Sequence, residues 1–168
     1  MVDAAGAERF RQLFEREQAR VYRFVYAMVG AAETAKELTQ ETFFRAFRSI
    51  DAFESRSAAS TWLCGIARNV TLNHLRAQRP QADEMPEGID DDGPDRQLLS
   101  RELREAIRVA LLRLDDDKRA AFTLKVLEGR SYDEIAEITG SAVAKLRTDV
   151  HRARLQLREA LRGFREER

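Results

Sequence analysis

The sequence is poor in most features that small folds rely on. A single cysteine, Cys64, excludes an internal disulfide. The two histidines, His74 and His151, lie far apart and with one Cys provide no zinc-ligand spacing, so neither a metal nor a cofactor is expected. Three Pro and eight Gly in 168 residues leave few chain breaks, which suits helices better than strands and turns. No apolar run is long enough to span a bilayer, and the opening MVDAAGAERF lacks the apolar core of a secretory signal. A cytoplasmic protein without membrane insertion is therefore expected. Paired carboxylates, a Cys–His pair and a phosphate-cradling Gly loop are also missing from the pattern, so an enzyme is not expected and no residue is assigned a catalytic role.

The overall net charge is zero, yet it is unevenly distributed. Residues 1–82 carry 12 Lys/Arg against 9 Asp/Glu, and residues 98–168 carry 16 against 13. Between them, residues 83–97 hold seven acids and one Arg. Two mildly basic segments thus flank an acidic one. From Lys145 to Arg165 seven cations face two anions, so positive charge gathers at the C-terminal end. Charged residues make up 35% of the chain and hydrophobic ones 43%, proportions that fit slim helical bundles with long solvated faces.

Hydrophobic spacing divides the chain into three parts. Phe10, Leu13, Phe14, Val21, Phe24, Val25 and Met28 recur at helical intervals over residues 7–29, ending at Gly30. A second helix is expected over 33–50, with Leu38, Phe43, Phe44, Phe47 and Ile50 apolar. A third, over about 62–78, would be capped by Ser60 or Thr61. The stretch 77–97 contains RPQADEMPEGIDDDGPD and reads as an acidic, flexible linker. Helical spacing resumes at Leu98 and runs to about 113, and Asp115 to Asp117 offer a fresh N-terminus for a helix ending near Gly129. Ser131-Tyr-Asp-Glu134 fits a capping box, in which Ser and Glu satisfy each other's orphan backbone donors. The helix it opens stops at Gly140, and Ser141 can cap the last one, which extends to about Arg162.

The short helix, the Gly and the long helix form a helix-turn-helix candidate. Ala136 suits a close helix approach, Gly140 suits a turn with positive φ, and Leu146 can fill the wedge between the helices. In the last helix Val143, Leu146, Val150, Ala153, Leu157, Leu161 and Phe164 make one apolar stripe. Thr148, His151, Arg152 and Leu155 phase away from it, with Lys145 on one flank and Arg147 and Arg154 on the other. A recognition helix brings its N-terminal residues to base edges while cations along its sides meet phosphates. A basic helix alone is more often a solvated face; the capped helix and turn before it favour DNA.

Two runs then resemble the extracytoplasmic-function (ECF) sigma factors of bacterial RNA polymerase. KELTQETFFRAFRSIDAF…STWLCGIARNVTLNHLR is similar to their region 2, and SYDEIAEITG…LRTDVHRARLQLREAL to their region 4. The resemblance implies an all-α chain of two small helical domains. Residues 1–78 would be region 2, 79–97 the linker, and 98–168 region 4. It implies a subunit that binds core polymerase and directs promoter-specific initiation. Glu37, Leu38, Gln40, Glu41 and Phe43 would dock on the coiled coil of the largest subunit, and region 4 on the flap of the second-largest. Phe43 serves equally well as core.

Arg56, Ser57, Trp62, Arg68, Asn69, Asn73 and Arg76 would read the −10 element, where pockets and polar edges take up flipped bases of the melted strand. Trp62 could stack on a base, although an aromatic on an apolar stripe is more often core. Lys145, Arg147, Thr148, His151, Arg152 and Arg154 would bind the −35 element. The family pattern has Gly, Thr and Arg where this chain has Ala144, Lys145 and Asp149, which points to a different −35 preference. Asp149 phases toward the apolar stripe, so an intradomain cation such as Arg130 is its expected partner. A linker of about 21 extended residues reaches roughly 70 Å. Adding the domains' own width of roughly 30 Å, one chain can touch elements about 25 base pairs, or roughly 85 Å, apart. An anti-sigma partner is a further implication, and exposed Leu155 is a candidate contact. The alternatives are a stand-alone helix-turn-helix regulator, which leaves residues 33–76 unexplained, and a helical interaction module without DNA binding.

Overall fold

The computed structural model describes residues 3–53, 58–79 and 101–166, and every regular element among them is helical. The acidic segment expected to be a linker falls, from residue 80 onward, outside the described residues, as do Arg56 and Ser57.

The first three helices are long. α1 spans Ala4–Val29, opened by the Asp3 carboxylate accepting from the Gly6 N–H at 2.6 Å. It closes at Gly30, whose φ of 73° lets its N–H return to the Tyr26 carbonyl at 2.8 Å. α2 spans Ala32–Ser49, continued by a 3₁₀ turn at Ile50–Ala52, and α3 spans Ala59–Gln78. Neither α2 nor α3 has a side-chain cap: their N-caps are Ala31 and Ala58. The expected caps of α3 are engaged elsewhere, since the Ser60 hydroxyl accepts from the Arg130 guanidinium and Thr61 is buried. These helices are held by the apolar face they share, with Phe24, Val25, Met28, Phe43, Ala46, Leu63 and Ala67 almost fully enclosed. Each large side chain so buried contributes about 1.5–3 kcal/mol relative to exposure.

The remaining helices are mostly shorter: α4 Arg101–Leu112, α5 Asp116–Phe122, α6 Tyr132–Thr139, α7 Val143–Ala160 and α8 Gly163–Glu166. Here caps matter more. Asp115 caps α5 by accepting from the Lys118 N–H at 2.9 Å. The Ser131–Glu134 capping box is complete, with bonds of 2.8 and 3.1 Å. Gly140 takes φ 71° at the helix-turn-helix corner. α7 starts from Ala142 without a side-chain cap, so Ser141 does not fill that role; its own N–H donates to Thr139 Oγ1 at 3.2 Å. After α5 the chain runs on in a π-helical turn, Thr123–Leu127, with the Glu128 N–H reaching the Thr123 carbonyl at 3.0 Å.

The two helical units pack on each other. Leu124, Ile135, Ile138, Leu146 and Val150 of the second unit join the same buried cluster as Phe24, Leu63 and Leu72 of the first. A second, smaller cluster of Ala110, Leu111, Leu114, Ala153 and Leu157 joins α4 to α7. At Gly30 the docking is close: its carbonyl accepts from Arg108 Nη1 at 3.0 Å, and an added Cβ would lie 2.5 Å from Leu112 Cδ1. Polar pairs cross the seam as well. Arg20 meets Glu128 at 3.2 Å, and buried Arg130 donates to Ser60 Oγ at 2.9 Å.

Candidate nucleic-acid interface and polymerase-facing helix

The helix-turn-helix is built by α6, Gly140 and α7. Buried Leu146 fills the wedge against Ile135 and Ile138, and this fixes the phase of α7. Lys145, Arg147, Thr148, His151, Arg152 and Arg154 are consequently all exposed. They divide into two faces. Lys145 and Arg152, with Asp149, line a cleft toward α3, whereas Arg147, Thr148, His151 and Arg154 lie outside it. The Arg147 guanidinium sits 5.1 Å from the Tyr132 ring centroid, and Lys125 approaches the same ring at 4.5 Å. The Thr148 hydroxyl donates back to the Ala144 carbonyl at 3.1 Å. Leu155 is 49% exposed, as its phase requires.

Asp149 is 7% exposed and is bound by Lys145 Nζ at 2.6 Å, one helical turn away. The intrahelical cation is therefore Lys145 and not Arg130, which is committed to Ser60 and lies 3.7 Å from Glu134. The pairing lifts the Lys145 pKa, chiefly through that hydrogen bond, and keeps the ammonium charged. Two of the three departures from the family pattern, Lys145 and Asp149, thus compensate each other.

On α3, Asn69, Asn73 and Arg76 are exposed at intervals of four and three, forming one polar stripe. Arg68 is half-buried beside them; burial pulls its pKa down, while Asp117 at 3.9 Å opposes that shift. Trp62 is half-buried against the core, its ring 4.8 Å from that of Phe53. Arg76 and Arg79 reach the cleft that Lys145 and Arg152 line from the other side. The cleft measures about 480 Å³, and its floor is the acid run Asp115–Asp117.

On α2, Glu37 and Gln40 are exposed, Leu38 is half-buried, and Glu41 pairs with Arg45 at 2.5 Å. Phe43 is buried against Phe14 at 4.8 Å, so it belongs to the core. Phe44 is 57% exposed on the outer side of this helix, and Phe47 is partly exposed with its ring 5.0 Å from that of Phe10. Their exposure was not apparent from apolar periodicity, which counts every Phe as inward. Among the described residues no cluster of three His, Cys, Asp or Glu could hold a metal ion. No helix among them is long and apolar enough to cross a membrane.

Comparison with known proteins agrees with this geometry. Residues 13–81 match the family model for sigma-70 region 2, and residues 104–157 match that for sigma-70 region 4. The chain is 32% identical over 176 aligned residues to the ECF RNA polymerase sigma factor SigW of Bacillus subtilis, covering 97% of this chain and 94% of that one. It is 34% identical over 166 residues to the ECF RNA polymerase sigma-E factor of Salmonella typhimurium, covering 91% and 86%. The sigma factor RpoE of Bartonella quintana, solved in complex with the anti-sigma factor NepR, superposes with a TM-score of 0.78 at 28% identity, over 92% of this chain and 98% of that one. CnrH, solved with the cytosolic domain of CnrY, shares the fold with a TM-score of 0.71 at 22% identity, over 92% and 88%. This chain belongs to the ECF sigma factors, the sigma-70 group that binds core RNA polymerase and directs transcription initiation.

Proposed function

We propose that this sigma factor reads its promoter with two separate helices, α7 for the −35 element and α3 for the −10 element. The exposed cation face of α7 carries the reading. Arg147, Thr148, His151 and Arg154 stand clear of the core on a helix fixed in phase by Leu146. Arg147 and Arg152 serve base edges or phosphates, Lys145 and Arg154 serve phosphates, and Thr148 and His151 make polar contacts in the groove. Asp149, tied to Lys145, shapes the helix surface and does not read a base. On α3, Asn69, Asn73 and Arg76 face the melted strand, with Arg68 at its edge, Arg56 and Ser57 contributing from just before the helix in sequence, and Trp62 as a wall of the base site.

Glu37, Gln40 and Glu41 on α2 offer acceptors to the basic coiled coil of the largest polymerase subunit, while Leu38 packs at the rim and Phe43 supports the helix from beneath. Region 4 contacts the flap of the second-largest subunit. The functional division is 1–78, 79–97 and 98–168. The protein acts in the cytoplasm without catalysis of its own, and an anti-sigma partner covers it when silent, with Leu155 as one contact.

Purified chain mixed with core polymerase should form a stable complex and support run-off transcription from its own promoter. A duplex shift without core, and no run-off product with it, would overturn the reading in favour of a stand-alone regulator.

A further inference from the structure

The cleft between the units has a property that neither promoter-facing helix shows alone: one short acid run engages cations on both. Asp116 Oδ2 lies 3.1 Å from Arg79 Nη2, just beyond the end of α3. Its Oδ1 lies 2.6 Å from Arg119, which fixes the carboxylate in place because Arg119 is buried. Asp117 Oδ1 lies 3.9 Å from Arg68 on α3, and its Oδ2 lies 3.8 Å from Lys145 on α7. Asp115 is occupied with capping α5 and with Lys118. Asp116 and Asp117 therefore stand where backbone phosphates would, between the helix proposed for the −10 element and the helix proposed for the −35 element.

The size of the cleft sharpens the point. About 480 Å³ is the volume of a small-molecule site, far too small for a duplex. Two promoter elements some tens of ångströms apart cannot both be held while α3 and α7 face each other across it. The packed arrangement must open before both helices reach DNA.

We propose that Asp116 and Asp117 form an intramolecular clasp that favours the closed arrangement and competes with promoter phosphate for Arg68, Arg79 and Lys145. The proposal rests on the reading of α3 and α7 as the promoter-facing helices. The apolar seam around Leu124 and Ile135 supplies most of the docking. The clasp is the part of the docking that a polyanion can take over, because its ion pairs lie at the solvent edge, where charges exchange partners readily and salt screens them. DNA that captures these cations leaves Asp117 unpaired, and Asp116 held by Arg119 alone, next to its own phosphates, and the repulsion favours separation of the units.

The test uses the full chain carrying Asp117→Asn, with Asp115 left to cap α5 and Asp116 left to pair with buried Arg119. A control removes one charge beside the recognition helix, Glu137→Gln, since this residue is exposed outside the cleft. Small-angle scattering reads the opening. Fluorescence anisotropy at fixed salt reads binding to a fluorescein-labelled, mixed-sequence duplex three helical turns long. The clasp variant should show a larger radius of gyration than either wild type or control. It should also bind the duplex roughly two- to tenfold more tightly than the control, the range expected for losing one or two exposed ion pairs. An unchanged radius together with control-like affinity overturns the clasp. Expansion without any gain in affinity upholds the opening role and refutes the competition with phosphate, so it counts instead against α3 and α7 as the DNA faces.

Discussion

The two units of this sigma factor reach stability by different routes. α1, α2 and α3 are 26, 18 and 20 residues long, and two of the three begin at an Ala with no side-chain cap. α5 and α6 are only seven and eight residues long, and both begin at a side chain that accepts a backbone N–H. A long helix with a wide apolar face is held by what it buries, so an uncapped end costs little. A helix of two turns has more orphan end groups than internal bonds, and its caps decide whether it forms. The unit that carries the helix-turn-helix therefore depends more on polar, local interactions than the other unit does.

The strongest challenge to this comparison comes from the shared core. Leu63 of α3 and Leu124 beside α5 are each at most 1% exposed and belong to one buried cluster. Leu63→Ala and Leu124→Ala should each cost about 2–5 kcal/mol. Both should lower the midpoint of a single thermal transition followed by circular dichroism. Two separate transitions, each moved by one variant only, would show that the units fold independently.

A smaller effect separates the reading surface from the scaffold. Arg147→Ala and Arg152→Ala should leave the melting temperature within a degree or two of wild type. In complex with core polymerase they should weaken promoter binding by about 1–3 kcal/mol if each contact is bidentate to a base. A uniform loss across unrelated duplexes would assign both residues to phosphates.

Gly30→Ala tests the joint between the units. Its positive φ costs a side chain about 1–2 kcal/mol, and the new Cβ would press on Leu112. The loss should appear as lower stability, and as a larger radius of gyration if α4 lifts from α1. The smallest effect concerns the caps. Ser131→Ala should cost about 1 kcal/mol in urea unfolding, and Ala31→Ser should gain less than that at the start of the long α2. The same box predicts a direction with pH. The Ser131 backbone N–H holds the Glu134 carboxyl below its ordinary pKa. Its contribution is therefore present above the unfolded-state pKa and fades as acid carries the pH down through the folded one. Glu134→Gln should flatten that part of the stability profile.

Much of this was legible from periodicity and punctuation. Gly30 and Gly140 marked helix ends, Ser131 and Glu134 announced their box, and the stripe through Leu146, Val150 and Ala153 placed the exposed face of α7 correctly. Long-range pairing was not legible. Nothing local reveals that Arg130 crosses to Ser60, 70 residues away, and so removes the hydroxyl expected to cap α3. Asp149 had a cation one turn before it, yet the choice between Lys145 and Arg130 depended on where Arg130 was already committed. Asp116 and Asp117 read as a helix start, which they are. Their second role exists only because α3 and α7 meet around them, and no spacing rule within one helix encodes a meeting between two.

The lone cysteine lies on the seam between the units. Cys64 borders a small cavity with Glu17, Arg20, Glu128 and Arg130, and burial pushes its thiol up to about 11. At neutral pH the closed molecule keeps it protonated and shielded. Parting the units would return it toward an ordinary thiol, with about a hundredfold more thiolate at the same pH. The rate at which an alkylating reagent consumes this one sulfur is then a built-in clock, counting how often the molecule opens without any label being added.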